Sequence, residues 1–261
     1  MQLTRADAMG NLPTDDLLQE GGVSDPRPNA IFFDMDDTLV DFSSSAGPCW
    51  KKVCDDAAGR CGAVPADRLL AALDAYRHWF WSDPERHRRG RLDMAAARRE
   101  VLTGALLRLG IRNPALVDEM AEAFSQARAA AICLFPEAAG VLRALRAREV
   151  KLALITNGEI GEQRAKIERF ALVPLFDYIL VEGEFGMGKP DLRVYRHALL
   201  QTSASAEATW MVGDNPEWDV LAPQQVGIRG IWRDVRGTGW PPDRSGQPDR
   251  IIRSLSELLS D

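Results

Sequence analysis

The 261-residue sequence predicts an α/β fold: a parallel sheet flanked by helices, with an all-helical cap domain inserted after the first strand. Two observations carry this expectation. Short continuous apolar runs, the pattern of strands buried on both faces, alternate with amphipathic helical stretches along much of the chain. One long segment rich in Ala, Leu and Arg breaks the alternation and contains no convincing strand.

The elements follow in order. Residues 1–28 are polar, carry Gly21-Gly22, Pro26 and Pro28, and read as a loosely held lead-in with one short helix around 15–19. The first strand is Ala30-Ile31-Phe32-Phe33. Residues 43–133 read as several helices forming the cap, which leaves 29–42 and 134–261 for the core. Ala138, Val141, Leu142 and Leu145 then fall at i, i+3, i+4 and i+7, one stripe for a sheet-facing helix. Further strands are expected at 152–155, 178–181, 210–212 and 228–232, with a helix over 191–200. Strands alternating with helices imply right-handed crossovers and a parallel sheet, whose ligands bind beyond the carboxyl ends of the strands.

A formal net charge of −6 argues against nucleic-acid or anionic-membrane partners, which leave a basic footprint. No stretch approaches the roughly 20 apolar residues of a membrane helix. The first residues lack a basic segment followed by an apolar one, so a cytoplasmic location is expected. Cys49, Cys54, Cys61 and Cys133 form no CxxC pair and have no histidine at zinc-site spacing, which predicts free thiols.

Four places carry chemistry, each just after an apolar run. Asp34-Met35-Asp36-Asp37-Thr38 follows the first strand, where carboxylates are costly unless a cation or ligand uses them. The competing reading is an Asp-rich turn capping a helix. Thr156-Asn157-Gly158 offers a hydroxyl, an amide and a flexible backbone to phosphoryl oxygens, and a simple turn would explain it equally well. Gly183-x-x-x-x-Gly188-Lys189 imitates the start of a Walker A loop, but Pro190 stands where that loop needs Ser or Thr. What survives is a lysine in a glycine-rich loop, in a chain with only five lysines. Gly213-Asp214-Asn215-Pro216-Glu217-Trp218-Asp219 places two carboxylates five residues apart, suited to a hard divalent cation or to an acidic helix cap.

Taken together over residues 30–232, these motifs resemble the haloacid dehalogenase superfamily of Rossmann-like phosphotransferases and hydrolases. Asp34 and Asp36 stand at the two aspartates of its first motif, Thr156 at the second, Lys189 at the third, and Asp214 with Asp219 at the fourth. The resemblance implies a Mg2+-dependent phosphatase in which Asp34 is the nucleophile and Asp36 the acid and base. Crowding by Asp34 and Asp214 would help Asp36 hold its proton. Asp34, Asp214 and the Asp36 carbonyl would hold the metal, with Asp219 orienting them, while Thr156, Asn157 and Lys189 would hold the phosphoryl group. A phosphomutase would keep the same residues. A dehalogenase has no use for a proton donor at Asp36, and a phosphate-binding regulator without turnover is a further alternative. Pro216 and Pro223 depart from a helix-forming pattern, so the helix after the fourth motif should start late or kink.

In the cap, His78-Trp79-Phe80-Trp81 and the basic run through Arg91 could grip a base or an acidic sugar, though a cap core with a solvated basic loop is the favoured reading. Arg91 and Arg98, seven apart, are the first candidates for contact with a small phosphorylated metabolite. Cys49, Cys54 and the three histidines are read as structural.

Overall fold

The computed structural model describes residues 27–62 and 64–260. All but the last two residues of the 1–28 lead-in, and the helix expected around 15–19, lie outside the described residues. Six parallel strands form one sheet: β1 (Ala30–Phe33), β4 (Lys151–Thr156), β5 (Tyr178–Val181), β6 (Thr209–Gly213), β7 (Arg229–Arg233) and β8 (Arg250–Ile252). Their order, β5-β4-β1-β6-β7-β8, puts β1 in the middle. The chain builds outward from β1 to one side and then crosses to the other, so the switch point lies beside β1. The edge strand β8 was not foreseen, because only Ile251-Ile252 among arginines marks it.

The alternation within β1 explains why its run is apolar throughout. Ile31 and Phe33 enter a cluster with Val141, Leu142 and Leu145 of helix α6 (Ala138–Ala147). Ala30 and Phe32 enter another with Val194, Tyr195 and Ala198 of helix α9 (Leu192–Thr202). Both faces of the central strand are therefore dry, and burying each Phe is worth about 1.5–3 kcal/mol. Helices α7 (Ile160–Arg169) and α8 (Glu182–Phe185) follow β4 and β5.

Between β1 and α6 lie five helices: α1 (Ala46–Ala57), α2 (Ala66–Ser82), α3 (Pro84–Leu92), α4 (Met94–Arg108) and α5 (Pro114–Ala131). Of these, α1, α2, α4 and α5 share a separate apolar cluster that includes Trp50, Leu73, Phe80, Leu102 and Phe124, while α3 lies against α2 at Gly90, where a Cβ would stand 2.7 Å from Phe80. The two chain crossings run side by side, where β2 (Val40–Asp41) pairs antiparallel with β3 (Cys133–Leu134). This short ladder had no sequence signal. All four cysteines are free thiols. No helix of the described residues is long and apolar enough to cross a membrane.

Candidate active site

The three central strands deliver their loops to one edge. Asp34 leaves β1 with its N–H donating to Val212 O of β6 (2.9 Å). Met35 is fully buried in the core, while Asp34 and Asp36 on either side of it line one cavity of about 700 Å³. Asp37 holds a turn, as part of the competing reading proposed, but does not cap the helix that follows. It adopts φ +61° and its carboxylate accepts from Phe42 N (3.1 Å), Ser43 N (2.6 Å) and the Ser43 hydroxyl, fixing the turn into α1.

Lys189 is the hub. Its buried ammonium donates to Asp34 Oδ1 (2.7 Å) and Asp219 Oδ1 (2.6 Å). Burial alone would pull this ammonium down, but Asp219 and Asp34 together outweigh it and hold its titration above the ordinary lysine range. Asn157 donates to Lys189 O (2.7 Å) and accepts from Lys189 N (2.8 Å). Both of its amide atoms thus clamp the lysine's backbone instead of being presented to a ligand. Gly188 permits the clamp, since a Cβ there would stand 2.7 Å from Asn157 Oδ1 and 2.4 Å from Glu182. Thr156 ends β4 in the same cavity wall and is almost fully buried.

The loop after β6 adds Asp214 and Asp219. Asn215 caps the turn by accepting from Glu217 N (3.0 Å) and Trp218 N (3.1 Å), and residues Pro216–Leu221 wind as a wide π-type helix that starts at Pro216 itself and not late, since proline is accommodated in a first turn. That winding returns the buried Asp219 to the strand end, where a Cβ on Gly213 would sit 2.2 Å from its carboxyl carbon. Carboxylate oxygens of Asp34, Asp214 and Asp219 all lie within 4.8 Å of one another. Burial pushes the Asp34 carboxyl up to about 7, with Lys189 opposing and Asp219 adding to the rise. Burial, then Asp34, then Asp219, lift Asp214 to about 9. Three carboxylates against one ammonium leave a formal charge of −2, so this hard oxygen cluster fits a divalent cation of the Mg2+ type.

Residues 28–227 match the haloacid dehalogenase-like hydrolases. The chain belongs to that family. It is 40% identical over 146 residues to phosphoserine phosphatase of Thermus thermophilus, a match covering 56% of this chain and 57% of that protein. The chain therefore spans little more than half the length of that relative. It is 28% identical to pyrimidine 5'-nucleotidase YjjG of Escherichia coli across 87% of this chain and 95% of that one. Among solved structures, 2-haloacid dehalogenase from Pseudomonas syringae pv. Tomato superposes with a TM-score of 0.58 and 32% identity, covering 88% of this chain and 97% of that one.

In this haloacid dehalogenase-like hydrolase the second aspartate does not join the acidic cluster. Lys166 Nζ of α7 donates to both oxygens of Asp36 (2.6 and 2.5 Å), and Gln163 Nε2 approaches Oδ2 (3.2 Å). Asp36 is thus an ion-paired carboxylate, although its charge still reaches Asp34 and adds to the rise there. Lys166 and Gln163 had not been singled out, although they lie three apart on the helix that follows Thr156-Asn157-Gly158.

Arg91 and Arg98 do line the cavity, but each is already engaged. Arg91 forms a two-pronged pair with buried Glu182 (2.8 and 2.7 Å) and lies over the Trp218 ring. Glu182 in turn accepts from Gly158 N (3.0 Å), which joins α3 to the loop after β4. Arg98 donates to Glu162 (2.7 Å) and Ser125 Oγ (2.9 Å). His87, read as structural, also lines the cavity, edge-on to Trp81 and Trp218. Burial, with Arg91 nearby, lowers its titration.

Proposed function

We propose that this protein is a Mg2+-dependent phosphatase that hydrolyses a small phosphomonoester through an aspartyl-phosphate on Asp34, beneath a cap formed by α1–α5. One observation carries the reading: two carboxylates two residues apart line one cavity, each with its own ammonium, Asp34 with Lys189 and Asp36 with Lys166. A single displacement needs one carboxylate, whereas a double displacement at phosphorus needs a nucleophile and a separate proton carrier.

In the first step an Asp34 carboxylate oxygen attacks phosphorus, the ester P–O bond breaks, and the leaving oxygen takes a proton from the Asp36–Lys166 pair. In the second, water attacks phosphorus and returns a proton to that pair. The bond from phosphorus to Asp34 then breaks, releasing inorganic phosphate. Lys189, bonded to Asp34, and Thr156 in the cavity wall would hold phosphoryl oxygens as charge redistributes, the dominant demand of phosphoryl transfer. Asp34, Asp214 and Asp219, with the Asp36 carbonyl, would hold Mg2+, which supplies charge neutralisation for those oxygens. The phosphatase and nucleotidase relatives support small phosphorylated metabolites as the substrate class.

The 32%-identical haloacid dehalogenase favours a second reading, hydrolysis of a carbon–halogen bond. A halide leaves without a proton, so the Asp36–Lys166 pair would have no task there. Phosphate release from a panel of phosphomonoesters, and halide release from 2-haloacids, should be measured with and without Mg2+ for wild type and Asp34→Asn. The expected outcome is Mg2+-dependent phosphate release that falls at least about 10⁴-fold in the variant. Halide release without phosphate release would sink the phosphatase reading.

A further inference from the structure

Four buried or largely buried arginines punctuate the described residues, and three of them have a carboxylate partner. Arg91 pairs with Glu182, Arg98 with Glu162 and Arg233 with Glu137. Arg128, on the last turn of α5, is the exception. Its residue is only 7% exposed, it lines the cavity shared with Asp34 and Asp36, and among the described residues no carboxylate pairs with it. One Nη1 donates to the Ser45 hydroxyl, and the guanidinium lies 4.1 Å from the centre of the Phe42 ring. A hydroxyl and a ring face occupy one donor and one side of a group with five N–H donors.

The remaining donors are not enclosed without partners, so their open edge is the cavity. Neighbouring cations do not share this condition. Lys166 is tied to Asp36, and Arg169 is exposed and donates to Ala129 O. A buried guanidinium without a counter-charge is costly, and a planar fork of donors suits a carboxylate or phosphate better than any other ligand. Burial already draws the Arg128 titration down, with Cys49, then Asp36 and Asp37, offsetting part of that.

We propose that Arg128 receives a second anionic group of the substrate, so that the preferred phosphomonoesters carry a carboxylate or a second phosphate besides the phosphoryl group that reacts. The inference rests on the phosphatase reading. A cavity of about 700 Å³ that has both Asp34 and Arg128 in its wall has room for one small molecule addressing both. The stacked pair Trp50–Phe124 (3.6 Å between ring centres) gives the space between them an apolar flank.

The test compares esters that differ in the second anion alone: 3-phosphoglycerate against glycerol 3-phosphate, and fructose 1,6-bisphosphate against fructose 6-phosphate. In wild type, kcat/KM should favour the anionic member of at least one pair by about 10- to 100-fold, and which pair responds identifies the anion. Arg128→Gln should collapse that ratio to within about threefold, mostly through KM. If Arg128→Gln does not fold, Arg128→Lys, which keeps the charge and loses the fork, should give an intermediate ratio. A merely structural arginine would lower both members alike and leave the ratio untouched, which would overturn the proposal. Equal turnover of both members of each pair by wild type would overturn it too, while leaving the phosphatase reading intact. No Mg2+-dependent release from any ester would end both.

Discussion

The strand-end cluster and the wall built by the inserted helices both consist of buried or half-buried ion pairs, yet they are constructed differently. At the strand ends, Asp34, Lys189 and Asp219 meet because adjacent parallel strands set their loops side by side and tight backbone geometry finishes the work. Gly213 lets Asp219 in, and Asn157 grips the backbone of Lys189. In the wall, Arg91 of α3 and Arg98 of α4 reach across to Glu182 and Glu162. The first arrangement is carried by neighbouring strands of one sheet, whereas the second depends on how the inserted helices lie against the loops of that sheet. Charge in the first is concentrated and unequal, three carboxylates to one ammonium, while in the second Arg91 and Arg98 each meet a single carboxylate.

The comparison can be broken most sharply at Lys189. Lys189→Met leaves Asp34 and Asp219 buried with no ammonium between them, and should cost about 3–5 kcal/mol in denaturant unfolding. A loss below about 1 kcal/mol would show that the strand-end cluster is not held by this pair of contacts.

The wall should be weaker but coupled. Arg91→Ala, Glu182→Ala and the double variant form a cycle, with side-chain exposures of 16% and 5% for the partners. A coupling of about 1–2 kcal/mol is expected, with each single change raising KM more than it lowers kcat. Additive effects would mean that the pair does not hold α3 to the core.

The smallest effect concerns the charge excess. The Asp34 and Asp214 carboxyls titrate higher when folded than the ordinary value of 3.8, to about 7 and about 9. Their contribution to stability is complete below the unfolded carboxyl range and drains as pH rises through those two values. Lys189, raised from an ordinary value of 10.5, keeps its contribution throughout that window. The metal-free protein should therefore melt lower above about 9 than below about 7. The rise in melting temperature on adding Mg2+ should grow over the same interval, by about 2–4 °C for each kcal/mol recovered. A Mg2+ shift that is flat with pH would contradict this reading of the cluster.

The sequence by itself determined the sheet and the addresses of its chemistry. Strands buried on both faces must be apolar throughout, so β1, β4, β5, β6 and β7 stand out as runs, and a carboxylate, threonine or lysine just after such a run is conspicuous. At Pro216 the sequence suggested a late or kinked helix, but the helix begins at that proline, whose missing donor costs nothing in the first turn. Tertiary structure decided which charges meet. Asp36 and Lys166 are 130 residues apart, and Arg91 and Glu182 are 91 apart. No periodicity links such positions, so Asp36 could be read as crowded by carboxylates when it is in fact paired with an ammonium. Asn157 was legible as a polar group at a strand end, but its commitment to the Lys189 backbone was not, because that depends on two loops brought together by neighbouring strands. Arg128 looked like one arginine among many, and only packing buried it without an acid beside it. Local pattern records what a residue needs from its own segment, whereas the pairing of charges is settled by distances that exist only once the chain has folded.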